Sequence, residues 1–250
     1  MTFEQLHIWL MAFIRSGGLL LLAPVFSGKM IPIPIRIAIA AFLAYVVSGL
    51  ARTAVPVPVD IAALIFSAGH ELLIGLMMGL GMRLVFFALE FAGQLISTEV
   101  GLMMSAQIDP ISQSDSTPIG SALFYLGSLI FLISGAHHAM FAAFLRSFEL
   151  APVGTVAAMG NIGELFVHST GNIFLIALQM AAPIMAINFI VNMTFAILGK
   201  AAPGINVFVE SAVFRIIAGM TLLGLTLGLT AQLVLSQLRQ APELMLRLIP

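Results

Sequence analysis

The chain has no cysteine among its 250 residues, and only 8% of them are charged. The first absence excludes disulfides, thiolate metal sites and cysteine nucleophiles. The second excludes an ordinary soluble domain, in which about a quarter of residues are charged. No Lys or Arg precedes Arg15, and Glu4 stands where a positive n-region would lie, so no cleavable signal peptide is expected. Thr2 occupies the myristoylation position, and the C-terminus has no cysteine to prenylate. A net charge of −1 and the lack of a basic patch speak against nucleic acid.

What is present is apolar. Mean hydropathy is +1.12 and 60% of residues are hydrophobic. Uncharged runs extend over Ser116–Leu145, Leu165–Gly199 and Ile216–Leu238. Each exceeds the roughly 20 residues needed to cross a bilayer. The pattern predicts an all-α, integral-membrane-type protein with six mainly helical blocks: Leu6–Phe26, Ile35–Leu50, Ile61–Met104, Ser121–Leu145, Ile173–Leu198 and Ala212–Leu238. The third is too long for one crossing, which implies a long or broken helix or a helix pair. Pro32, Pro34, Pro56 and Pro58 separate the early blocks. The connection Arg146–Asn172 has no room for a soluble catalytic domain. Lys29 and Arg36 favour a cytoplasmic loop, but Arg52, Arg83, Arg146 and Lys200 spread positive charge over other junctions, so no orientation follows.

Several charges fall where lipid would penalise them. A central Arg such as Arg15 costs about 2.5–3.5 kcal/mol on the insertion scale. The 11 Leu, Ile, Phe and Val residues of Leu6–Phe26 allow the block to insert nonetheless. Arg15 must then snorkel, pair or face protein, and Glu71, Glu90, Glu99 and Arg215 pose the same question. Either these groups form interhelical ion pairs or they serve transport. Arg83, Glu90, Gln94, Ser97, Gly101 and Ser105 share a helical face, expected to meet another helix's polar groups or to line a water-filled path. Asn188 and Asn192 form a smaller i, i+4 pair with the same two readings. Gly75-Leu-Met-Met-Gly79 and Gly224-Leu-Thr-Leu-Gly228 are GxxxG patterns that favour close helix packing.

Catalytic signatures are missing. His70-Glu71 lacks the second histidine of a zinc-protease helix, and Gly28-Lys29 and Gly199-Lys200 lack the rest of a P-loop. His137 and His138 are adjacent and expected to diverge by about 100°, a poor chelating geometry. Ser112, Ser114 and Ser116 have no G-x-S-x-G setting. No enzyme, metal or cofactor is expected.

The most conspicuous segment is Ser105–Thr117, in which nine of thirteen residues are polar. Such a loop between apolar helices must face water, a lumen or a partner. Met103 and Met104 adjoin it, and methionine is deformable enough to seal an irregular opening.

Read in order, the motifs resemble the FliR family of the bacterial type III export apparatus (SctT in injectisomes). They comprise Arg15, Pro24-Val25-Phe26, Pro32, Arg36-Ile37, Glu71 through Gly79, Gly93-Gln94-Leu95-Ile96, Gly101-Leu102 and Asp109-Pro110. They continue with Pro118, Gly135 with His137, Ser147-Phe148, Pro152 with Gly154, and Gly199 through Phe208, which includes Lys200, Pro203, Asn206 and Phe208. One stretch departs. Glu210, Ser211, Ala212 and Val213 replace the family's apolar-Gly-aromatic-Pro turn, although the basic Arg215 survives.

The resemblance implies a non-enzymatic subunit of the flagellar export gate, built of helical hairpins. It implies a FliP-like part over residues 1–184, including a plug loop at 106–118, and a FliQ-like hairpin over 185–250. The plug maps onto Ile108, Asp109, Pro110, Ile111, Ser112, Gln113, Ser114, Asp115, Ser116, Thr117 and Pro118. Implied partners are FliP-like and FliQ-like subunits, FlhB-like and FlhA-like export proteins, membrane lipid, and unfolded substrates in transit. The implied place is the bacterial inner membrane, within the flagellar basal body. The competing expectation is a secondary transporter using Arg15, Glu71 and Glu90 at a midplane site.

Overall fold

The computed structural model describes residues 3–28, 31–49, 60–102, 117–154, 162–202, 204 and 206–249. The described residues contain seven helices and no strand: α1 Phe3–Leu22, α2 Ile33–Ser48, α3 Ile61–Val100, α4 Pro118–Ile133, α5 Ala136–Leu150, α6 Ile162–Ala201 and α7 Val207–Arg247. The all-α expectation holds. Four of these helices are long and apolar enough to cross a membrane, or up to five spans if the bent pair α4–α5 counts as one.

Of the alternatives for the third block, the long helix is the one found, and the element boundaries differ from the sequence expectation in two other places. The third block is one unbroken helix of 40 residues, about 60 Å long. The fourth divides into α4 and α5, bent by 70°, because Gly135 adopts a left-handed φ of 72° that an L side chain would resist. Helix α6 begins at Ile162, 11 residues before the expected Ile173, and α7 reaches Arg247, nine beyond the expected Leu238, because polar side chains at exposed positions do not interrupt a helix.

Two compact units share the chain. One comprises Met1–Val85, Phe131–Ser169 and Gln237–Pro250; the other comprises Phe86–Ile130 and Thr170–Ser236.

In the first unit, α1 and α3 run parallel in a fixed register. Met11 meets Ser67 and Arg15 meets Glu71, each pair 56 positions apart, and in the connection after α1 Ser27 meets Arg83 at the same offset. Glycine sets the spacing. A Cβ on Gly75 would overlap the Arg15 carbonyl, and one on Gly79 would lie 2.7 Å from the Leu19 carbonyl oxygen. Gly18 answers from α1, where a Cβ would lie 2.8 Å from the Leu72 carbonyl oxygen. The Gly75–Gly79 motif is therefore a backbone-to-backbone seam. Around it Met11, Leu19, Ile74, Met78, Met82, Met140 and Phe144 are fully buried. Helix α2 turns small residues inward, Ala40, Ala44 and Val47, and leaves Ile33, Phe42 and Tyr45 exposed.

In the second unit, α3 crosses α4 where Gly93 meets Gly120; a Cβ on Gly93 would lie 2.5 Å from the Gly120 nitrogen. Phe86 packs edge-on against Phe124, and Phe91 against Phe174. Helices α6 and α7 are antiparallel: Asn188 lies opposite Gly219, and Phe195 opposite Phe214. By contrast, a Cβ added to Gly224 or Gly228 would meet nothing within 4 Å, so the second GxxxG pattern forms no seam among the described residues.

Candidate functional site

The first unit holds a fully buried charge. Arg15, in the middle of α1, has none of its surface exposed. Its Nε donates to Glu71 Oε2 at 2.6 Å, its Nη1 to Ser147 Oγ at 3.0 Å and its Nη2 to the Ala151 carbonyl at 2.9 Å. The Phe148 ring lies over the guanidinium carbon at 4.0 Å. Glu71 is equally buried.

Each element supplies one part for a local reason. The α1–α3 register brings Glu71 opposite Arg15. Ala151 is the C-cap of α5, where the helix carbonyls lack intrahelical donors and carry partial negative charge. Arg15 thus satisfies one such carbonyl with a cation. Ser147 in turn donates to the Phe144 carbonyl at 2.6 Å, which leaves its oxygen free to accept from Arg15. A buried charge is tolerable when paired and hydrogen-bonded, and both conditions are met. This node ties α1, α3 and α5 together. The sequence marked Arg15 and Glu71. It gave Ser147 and Phe148 only as a motif, without their role, and it missed Ala151, because no local spacing links residues more than 130 positions apart.

The connection leaving α1 is also held by arginines. Arg36 donates from Nε to the Ile31 carbonyl at 3.0 Å and from Nη2 to the Gly28 carbonyl. Arg83 is half-buried, with Nη1 3.5 Å from Ser27 Oγ. Between them Val25 adopts φ 68°, and the Phe26 N–H donates to the Pro24 carbonyl at 2.8 Å, forming a tight γ-turn. Phe26 then packs against Phe141. The Pro24-Val25-Phe26 motif is therefore a strained turn with an aromatic anchor.

The expected polar stripe of α3 does not keep one environment. Arg83 and Glu90 are half-buried, Gln94 is exposed, Ser97 is fully buried, and Gly101 is half-buried. The 40-residue helix passes through differing surroundings, so residues that share a face do not share a neighbour. Glu99 is half-buried. Asn188 is fully buried whereas Asn192 is exposed, so the i, i+4 pair is likewise divided. Arg215 is half-buried. The rings of His137 and His138 lie 3.9 Å apart between centroids rather than splayed, since side-chain torsions outweigh the helical angle. No group of three metal-ligating side chains occurs among the described residues.

Of the loop expected as a plug, Ile108 through Ser116 lie outside the described residues, as do Met103, Met104 and Ser105. Its last two positions start α4. Thr117 Oγ1 accepts from the Gly120 N–H at 3.1 Å and Pro118 is the first helical residue, an N-cap followed by proline at N1. Asn206 plays the same part for α7. Its Oδ1 lies 3.5 Å from the Val209 N–H, and its carbonyl accepts from Glu210 at 3.1 Å. The departure at Glu210–Val213 thus lies in the first turns of a helix, where an acidic Glu210 complements the positive helix end. Lys200 is exposed in the last turn of α6. Pro203 and the Phe208 side chain fall outside the described residues.

Known proteins share this pattern along most of the chain. A family model described as "Bacterial export proteins, family 1" matches residues 6–241. The flagellar biosynthetic protein FliR of Caulobacter vibrioides is 27% identical over 228 residues, covering 91% of each chain. FliR of Aquifex aeolicus is 30% identical over 227 residues, 90% of this chain and 87% of the relative. The Yop proteins translocation protein T of Yersinia pestis is 30% identical over 155 residues, 61% of this chain and 59% of that one. The ordered motifs and the match along nearly the whole chain agree: this protein belongs to the bacterial export protein family 1, the FliR family.

Proposed function

We propose that the chain is a non-enzymatic core subunit of a flagellar type III protein export gate, assembled with FliP-like and FliQ-like chains in the bacterial inner membrane, within the basal body. FlhB-like and FlhA-like export proteins adjoin it, lipid meets part of its surface, and unfolded substrates pass through the assembled channel. The FliR and translocation-protein names of its relatives support this reading.

The observation that carries it is a mismatch between helix length and burial. Helices α3, α6 and α7 have 40, 40 and 41 residues, each about 60 Å, twice the roughly 30 Å of a bilayer's hydrocarbon core. The most apolar 18 residues of α7 are only 6% buried, against 56% in α3, and the charge-free run Leu165–Gly199 on α6 is by itself about 50 Å of helix. Apolar helix surface that extends beyond a bilayer's thickness calls for protein neighbours. The residues 1–184 form the FliP-like part and 185–250 the FliQ-like hairpin.

In this reading the segment Ile108–Pro118 is the plug. It closes the channel at rest, Met103 and Met104 help to seal it, and it moves aside during export. Energy for transport comes from elsewhere. The full engagement of Arg15 and Glu71 with each other favours a gate subunit over a secondary transporter, whose coupling groups need access to solute.

Co-expression with FliP-like and FliQ-like chains tests the assembly: a stable complex is expected, and purification only as a lone solute-binding chain overturns it. The plug is tested by deleting Gln113–Ser116 while keeping Thr117, the cap of α4. Ion leak through the assembled gate is expected to rise. A deleted form that assembles and stays sealed removes the plug role.

A further inference from the structure

Asn188 lies deep in α6 with none of its surface exposed, and neither Nδ2 nor Oδ1 meets a hydrogen-bond partner among the described residues. A buried carboxamide without partners destabilises the arrangement that contains it. Residues from two other helices surround it. A Cβ on Gly219 of α7 would lie 3.6 Å from Asn188 Nδ2, 3.5 Å from Ile184 Cγ2 and 2.5 Å from Val100 Cγ2 of α3. Asn188 therefore sits where α3, α6 and α7 meet at close range.

The same region holds two further unsatisfied atoms. Ser97, one turn before Val100 on α3, is fully buried with Oγ unpartnered, and Arg215, one turn before Gly219 on α7, has a buried, unpartnered Nε. Each of the three helices thus brings an unpartnered polar atom to the neighbourhood of one seam. Val100 of α3 and Ile184 of α6 are fully buried here, but α7 contributes little apolar burial of its own. Pro183, five residues before Asn188, also removes a backbone N–H from α6.

We propose that this seam is a joint set to open on assembly: the 207–236 part of α7 moves off α3 and α6, and the Asn188 carboxamide bonds a polar side chain on an apolar helix of a neighbouring subunit. The occupant is a helix rather than water because the exposed residues bordering the seam are apolar: Phe189 and Ile190 beside Asn188, Ile217 and Met220 beside Gly219. In apolar surroundings a side-chain hydrogen bond between helices holds them together. The inference rests on the gate-subunit reading.

Asn188→Leu tests it, because leucine has the same branched skeleton without the polar atoms. In the isolated chain the thermal midpoint is expected to rise, by about 2–4 °C for each kcal/mol of relief. In co-expression with FliP-like and FliQ-like chains, the yield of assembled complex is expected to fall about five- to thirtyfold, the equivalent of an interhelical hydrogen bond of about 1–2 kcal/mol. Asn188→Ser, which keeps a hydrogen-bonding group, is expected to retain more assembly than Asn188→Leu. If Asn188→Leu unfolds the isolated chain or leaves its midpoint unraised, the carboxamide is already satisfied and the proposal is overturned. If the variant is more stable and assembles like wild type, the proposal is overturned while the subunit reading stands. A wild-type chain that recruits no neighbours overturns both.

Discussion

Arg15 and Glu71 are 56 positions apart in the chain and 2.6 Å apart in space, both buried. The contact belongs to a register that runs the length of the α1–α3 interface, so the ion pair and the glycine seam enforce one another. Removing one partner leaves an uncompensated buried charge. Arg15→Ala and Glu71→Gln are each expected to destabilise the detergent-solubilised chain by about 3–5 kcal/mol. Replacing both, Arg15→Met with Glu71→Leu, is expected to recover much of that loss. Thermal or denaturant unfolding measures it; single variants within about 1 kcal/mol of wild type would mean that the node does not hold the helices.

The two GxxxG motifs are expected to respond oppositely to alanine. At Gly75 the added methyl would strike the Arg15 backbone, which cannot yield, so a loss of about 1–3 kcal/mol is expected from overpacking. At Gly228 nothing lies within 4 Å, so alanine is expected to be neutral or to gain up to about 1 kcal/mol of helix propensity. Unfolding midpoints of the two variants, compared side by side, decide the point. Equal losses would mean that both glycines pack against backbone.

Thr117→Ala removes the oxygen that caps α4 and is expected to cost about 1 kcal/mol, with faster amide exchange in the first turn of that helix. Thr117→Ser keeps the oxygen and should exchange like wild type. If the alanine variant exchanges no faster, Thr117 is not the cap.

Val25 carries a β-branched side chain at a positive φ, a conformation that costs about 1–2 kcal/mol for an L-residue. Val25→Gly relieves that strain and increases unfolded-chain entropy, so a net gain below about 1 kcal/mol is expected. Val25→Ile keeps the strain and should gain nothing. A clear loss of stability in Val25→Gly would show that the side chain contributes more by packing than the turn costs.

The sequence by itself determined the class of the molecule. Charge-free runs longer than a bilayer crossing require helices, since an apolar chain satisfies its backbone within each segment. It also identified Arg15 and Glu71 as charges needing an explanation, and the ordered motifs carried the family. Thr117–Pro118 and Asn206 are local devices, legible within a few residues, because a helix cap is fixed by its own next turn.

Only the tertiary structure decided which of two identical motifs packs, which asparagine of the 188/192 pair is buried, and what Arg15 touches. Gly75 and Gly228 look alike in sequence; they differ because one faces the backbone of α1 and the other faces open space. Ser147 and Ala151 reach Arg15 from more than 130 positions away, a relation set by helix register and the turn at Gly135. Periodicity assigns a residue to a face of its helix, but long-range packing chooses the neighbour that the face meets.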